Sequence, residues 1–189
     1  VQYGQLNQEI NESNPGLSAP EDTLYYINGS AVQVETAGEN KADIALLFDD
    51  IIENGSGEEN TQLLQDRADE VLKESDVLTG SGTRHYESKY LDLVDTNNGN
   101  AWLSSSEPVT VYWPLPDNTT ENTKFEILHF TGMHREMGTD YIADAIENCV
   151  VETVEIKEVT DSHIVFDVDP LEMDEEGNIT SGGFSPFML

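Results

Sequence analysis

Cysteine is nearly missing from this chain. Cys149 stands alone among 189 residues, so no disulfide within the chain is possible, and the small disulfide-stapled class of secreted domain is excluded. Positive charge is scarce as well: 8 Lys and Arg stand against 38 Asp and Glu, a formal net charge of -30. Proteins grip nucleic-acid phosphates by releasing counterions with Lys and Arg, and basic clusters also draw proteins to anionic lipid. Neither partner fits this composition. No apolar run approaches the roughly 18 residues of a membrane span, so direct membrane insertion is not expected. The chain opens without the charged-then-apolar pattern of a secretory leader, and is expected to be a piece of something longer. There is also no Gly-x-Ser-x-Gly elbow, no His-Glu-x-x-His helix and no Gly-rich phosphate loop, the short motifs that would announce an enzyme.

What is present is enough for a folded domain. Hydrophobic residues make up 37% of the chain, which predicts a buried core rather than a disordered tail. The length suits one domain of good size or two small ones. Three physical roles fit the acids: solubility, attraction of divalent cations, or salt adaptation in which carboxylates hold water.

Along the chain, residues 1–22 are polar and punctuated by Pro and Gly, and read as a linker or lead-in strand. "TLYYINGSAVQVE" places two β-rich runs around Asn28-Gly29, the strongest short hairpin signal because both turn residues need positive φ. In "KADIALLFDDIIENG" the apolar residues Ile44, Leu47, Phe48, Ile51 and Ile52 recur at helical spacing, and Asn54-Gly55 supplies a stop. "EENTQLLQDRADEVLKES" repeats that spacing with Leu64, Ala68, Val71 and Leu72, and Ser56 with Glu59 has the form of a capping box. Residues 23–82 are therefore expected to hold a β-hairpin and two helices.

From about Thr83 the pattern turns to strands. Tyr90 to Val94 is one. "EPVTVYWPLP" sets Val109, Val111 and Trp113 on one face and Thr110 and Tyr112 on the other, with Pro114 and Pro116 favouring an edge position. "KFEILHF" is apolar on both faces and reads as central. "DYIADAIENC" has a short helical face ending in Cys149. "VVETVEIKEV" and "HIVFDVDP" form a hairpin through Thr160-Asp161-Ser162, with Ile164, Phe166 and Val168 inward and Val165 and Asp167 outward. "GGFSPFML" supplies a last strand. The expected fold is α+β, mainly β: an antiparallel β-sandwich of immunoglobulin-like kind over residues 83–189, preceded by the hairpin and helical pair.

The blocks "KYLDLVDTNNGNAW", "VTVYWPLP", "FEILHFTGMHRE" and "GGFSPFML" together resemble a module of large multidomain surface proteins of Gram-positive Firmicutes. Those proteins are adhesin-like, with repeated β modules between a secretion signal and a wall-sorting motif. The resemblance covers roughly residues 84–189. It implies a non-enzymatic extracellular module, anchored to the cell wall through a parent chain. Its implied partners are neighbouring modules and a host or matrix protein or glycan. No catalytic residues come with it. The alternative is a carbohydrate- or calcium-binding accessory module of a secreted enzyme.

Candidate chemistry is sparse. Asp92, Asp95, Asn97 and Asn100 offer the oxygen ligands that calcium takes, but their spacing is poor for a helix-loop-helix site, and Asn with Gly equally makes a turn. No cofactor is expected, with calcium the one possibility. Trp102 and Tyr112 are candidate platforms for a sugar ring. Lys89 and Lys124 each begin a strand, as a lysine in an isopeptide cross-link would, yet "FSPFML" offers no Asn or Asp to accept the bond. His129, His134 and Glu136 make an incomplete zinc set. Arg135 reads as a structural clasp, and Cys149 as core.

Overall fold

The computed structural model describes residues 2–6, 14–27, 32–35, 41–50, 66–68, 87–99, 101–130, 151–170, 172–173, 179–181 and 186–189. The strands in chain order are β1 (Gln2–Gln5), β2 (Gly16–Ser18), β3 (Tyr25–Ile27), β4 (Ile44–Asp50), β5 (Ser88–Asp95), β6 (Ala101–Ser105), β7 (Val109–Pro114), β8 (Ile127–Phe130), β9 (Val151–Val154), β10 (Ile156–Val159), β11 (His163–Val168), β12 (Glu172–Met173), β13 (Ile179–Ser181) and β14 (Pro186–Met188). One sheet has eight strands, with β1-β4-β5-β14-β8-β9 side by side and β6 leading off β5 to β3. A second has four, ordered β10-β11-β7-β2, and among the described residues β12 pairs with β13 alone. Every strand pairing is antiparallel.

The two larger sheets face one core. Leu46, Phe48, Leu91, Leu93, Ile127 and Phe187 come from the first, and Leu17, Val109, Val111, Trp113, Ile164 and Phe166 from the second. Aromatic rings carry the contact: Phe48 meets Trp113 edge-on at 5.1 Å, and Phe166 lies 5.8 Å from Phe187. Such tilted pairs add roughly 0.5–1.5 kcal/mol beyond the area they bury. The expected mainly β, sandwich-like architecture is thus what the chain forms.

The first expected helix is a strand. Ile44, Leu46 and Phe48 of β4 enter the main core, while Ala45 and Leu47 pack on the opposite face with Val94 and Trp102. A strand buried on both faces reads as an unbroken apolar run, and such a run satisfies helical spacing as easily as strand spacing. Residues 66–68 are helical, within the second expected helix; the rest of that helix lies outside the described residues. Among the described residues no helical pair precedes the sandwich.

The hairpin at residues 23–35 is present: Tyr26 bridges Gln33, Ile27 N donates to Val32 O at 2.8 Å, and Val34 N donates to Tyr25 O at 2.9 Å. Its Asn28-Gly29 turn lies outside the described residues, as does the short helix expected to end at Cys149. The alternation in β7 holds, with Val109, Val111 and Trp113 fully buried. Its expected edge position does not, since β11 and β2 flank it. The ladder to β2 covers Thr110–Tyr112 and stops before Pro114, so the proline only ends the strand.

"VVETVEIKEV" is two strands. β9 pairs with β8 in the large sheet, and β10 pairs with β11 in the small one. The chain changes sheets at Glu155 and so forms an edge of both. At the opposite corner the sheets meet backbone to backbone. A Cβ on Gly4 would sit 2.9 Å from Pro15 O and 3.0 Å from the Gly16 Cα. Only glycine allows that approach.

Candidate functional site

The end of β5 and the loop joining it to β6 hold three of the four calcium candidates, Asp95, Asn97 and Asn100. Thr96–Asn98 make one 3-10 turn, capped in front by Asp95 and behind by Gly99, whose φ of 60° is left-handed. Asp95 is buried, and its Oδ1 accepts from Asp43 N at 3.0 Å and from Asn97 N at 3.0 Å. Asn97 Nδ2 donates to Lys41 O at 3.1 Å, and the Thr96 hydroxyl donates to Asp43 Oδ2 at 2.8 Å. The turn is therefore stitched to residues 41–43, which lead into β4.

These candidates do not gather at one point. Along β5, Leu91, Leu93 and Asp95 alternate with Tyr90, Asp92 and Val94. Asp92 thus faces away from Asp95, on the side of the sheet where Val94 packs. Asp95 and Asn97 meet, but through a backbone amide. Asn100 lies outside the described residues. Among the described residues, no group of three or more His, Cys, Asp or Glu side chains is placed to hold a metal ion.

The aromatic candidates are also separate. Trp102 is half-buried against Ala45, Leu47 and Val94, on the outer face of the large sheet. Tyr112 stands on the outer face of the small sheet, its hydroxyl 3.2 Å from Ser18 Oγ and its ring edge-on to His163 at 6.4 Å. Two rings on opposite outer faces form no shared platform. Beside Tyr112, Thr110 donates to Asp167 Oδ1 at 2.7 Å, and Lys157 Nζ lies 3.4 Å from the same carboxylate. Val165, expected to face out, does so from the sheet but is still buried.

Lys89 Nζ lies 5.2 Å from the centroid of the Phe48 ring, a cation–π geometry, and Lys124 is exposed. His129 is buried on β8, its Nδ1 3.0 Å from Glu152 Oε2 and its ring stacked on Phe187 at 4.3 Å. His134, Arg135 and Glu136 lie outside the described residues.

Three residues, Glu87, His163 and Asp43, make polar contacts that had no forecast. Trp113 Nε1 donates to Glu87 Oε1 at 2.7 Å, giving the buried indole its acceptor. Glu87 precedes β5, and only its position beside a strand start hinted at this. His163 Nε2 lies 2.6 Å from Asn14 O, and Nδ1 lies 2.7 Å from Ser162 Oγ. A carbonyl only accepts, so Nε2 carries the proton. Histidine at the mouth of a hairpin was the one available signal. Asp43, partner of Thr96, carried no signal beyond its charge.

No protein-family model matches the chain, and neither a curated protein nor a solved structure matches it.

Proposed function

We propose that this chain is a non-enzymatic extracellular module of a bacterial surface protein, serving as a structural stalk unit or in adhesion. The observation that carries this reading is the use of its polar side chains. Asp95, Glu87 and His163 each tie together segments distant in sequence: residue 43 to 95, 87 to 113, and 14 to 163. Groups arranged for chemistry converge on a cleft; here Asp95 and His163 each reach a backbone atom and Glu87 reaches the Trp113 indole, at three separate places. A net charge of -30 and a lone cysteine suit a wall-associated protein of this kind. The immunoglobulin-like form of the sandwich belongs to the same proposal, supported by two antiparallel sheets enclosing a buried tryptophan.

An antibody raised against the chain, applied to intact and permeabilised cells of its source, tests the setting. Labelling of intact cells is expected. Labelling only after permeabilisation would end the reading. Replacing the module in its parent by an unrelated spacer of equal length then separates stalk from adhesin, since a stalk tolerates the exchange. A second reading, an accessory module that binds carbohydrate, draws support from the half-buried ring of Tyr112 on an outer sheet face. Saturable glycan binding lost in Tyr112→Ala would favour it.

A further inference from the structure

The clasp between His163 and Asn14 uses one of the two ring nitrogens. Nε2 carries the proton and donates it to Asn14 O at 2.6 Å, so in the neutral ring Nδ1 has a bare lone pair. Ser162 Oγ lies 2.7 Å from that nitrogen. Thr160 Oγ1, a second polar neighbour of the Ser162 hydroxyl, is 3.4 Å away. The short contact sets the direction: the Ser162 O–H donates to His163 Nδ1. A hydroxyl, a base that takes its proton, and a third group that orients the base are the working parts of an activated nucleophile. Asn14 O stands in the orienting place, from 149 residues away in the chain.

The fold holds these parts still. Thr160–Ser162 form the turn between β10 and β11. Thr160 N donates to His163 O at 2.8 Å, and Leu115 N donates to Ser162 O at 3.0 Å, which ties the serine backbone to the residue after β7. The imidazole is 1% exposed and lies edge-on to Tyr112. Ser162 is half-buried, beside the exposed Asp161. The base is thus sheltered, while the residue that carries the nucleophile reaches solvent.

One part of an esterase is committed elsewhere. Ser162 N and His163 N both donate to Thr160 Oγ1, at 3.2 and 2.9 Å. An oxyanion draws on such donors, and the loss of one costs about 10²–10³ in rate. Only acyl donors with a good leaving group therefore react here, and the acyl-serine then persists.

We propose that Ser162 is an acylation site, a nucleophile that takes one acyl group from an activated ester and keeps it. Ser162 Oγ attacks the carbonyl carbon and passes its proton to His163 Nδ1. The ester C–O bond breaks, and the departing oxygen takes that proton. The products are an acylated serine and an alcohol, with the imidazole neutral again. The step involves no turnover, so it goes beyond the non-enzymatic reading without replacing it.

The probe is para-nitrophenyl acetate, applied at neutral pH to the folded full chain and to the same chain in urea. Peptide mass spectrometry locates the acetylated serines. In the folded chain Ser162 should be acetylated at least about 100-fold faster than Ser106, since general-base help is worth about 10²–10⁴. Ser106 is an exposed serine whose hydroxyl accepts from Leu24 N. Urea should remove that advantage. His163→Gln, which keeps a donor for Asn14 O but has no basic nitrogen, should bring Ser162 down to the rate of Ser106. If that variant fails to fold, the comparison of the native chain with and without urea decides alone. Equal rates at Ser162 and Ser106, a Ser162 rate unchanged by urea, or full reactivity in a folded His163→Gln would each overturn the proposal.

Discussion

Tyr25 is buried in β3, and burial pushes its phenol from 10.0 up to about 12. Below about pH 10 both folded and unfolded chains keep the proton. As pH rises further the unfolded chain loses it first, so stability falls with pH until the folded phenol also titrates near 12. The loss attributable to this residue is about 2–3 kcal/mol at most. Urea unfolding of the native chain and Tyr25→Phe, compared at about pH 9 and about pH 11.5, should show a steeper decline in the native chain; parallel declines would refute the assignment. Asp95 makes a prediction of its own. Asp95→Ala strips the acceptor from two backbone amides, at a cost of about 1–3 kcal/mol. Calorimetry should show a Tm several degrees lower, by the same amount with calcium or with a chelator. A calcium-dependent Tm in the native chain alone would make the turn a cation site. Much of this turn was legible, because Asp, Asn and Gly act within a few residues of one another. The clasps of Asp43, Glu87 and His163 were not, because their partners stand 53, 26 and 149 residues away, and no local pattern encodes such pairing.

Elements tell the same story at longer range. β5, β7, β11 and the hairpin of β10 with β11 were readable from alternation and turn chemistry. β4 was not, since burial on both faces erases the alternation that distinguishes strand from helix. The division of residues 151–159 between two sheets was also hidden: both halves have the same half-exposed character, with charged residues among the apolar ones, that suits an edge. The contact of β1 with β2 yields a further prediction. Gly4→Ala would drive a methyl group into the Pro15 carbonyl, against backbone that cannot swing aside. A loss of roughly 1–3 kcal/mol is expected by denaturant titration. At Gly99, where a Cβ meets open space and only the left-handed φ opposes it, Ala should cost about 1 kcal/mol or less. Equal effects at the two sites would mean that the sheets do not meet as closely as described.

At the scale of the whole molecule, charge dominates. A net charge of -30 on 189 residues means that folding gathers like charges, and self-repulsion opposes the compact state. Raising NaCl from about 0.02 M to about 0.5 M should raise Tm, with most of the gain reached near about 0.15 M, where screening acts within roughly 8 Å. A Tm that is flat across that range would show the acids to be well separated in the fold. The placement of β14 has one more consequence, in the time domain. Ribosomes add roughly 5–20 residues per second. The 55 residues between Phe130 and Pro186 therefore take roughly 3–11 s to make. Through that interval the nascent chain has β5 and β8 but not the strand that lies between them. Synthesis order alone thus delays completion of the largest sheet until residues 186–188 emerge, and until then the growing polypeptide is an unclosed substrate for whatever machinery handles it.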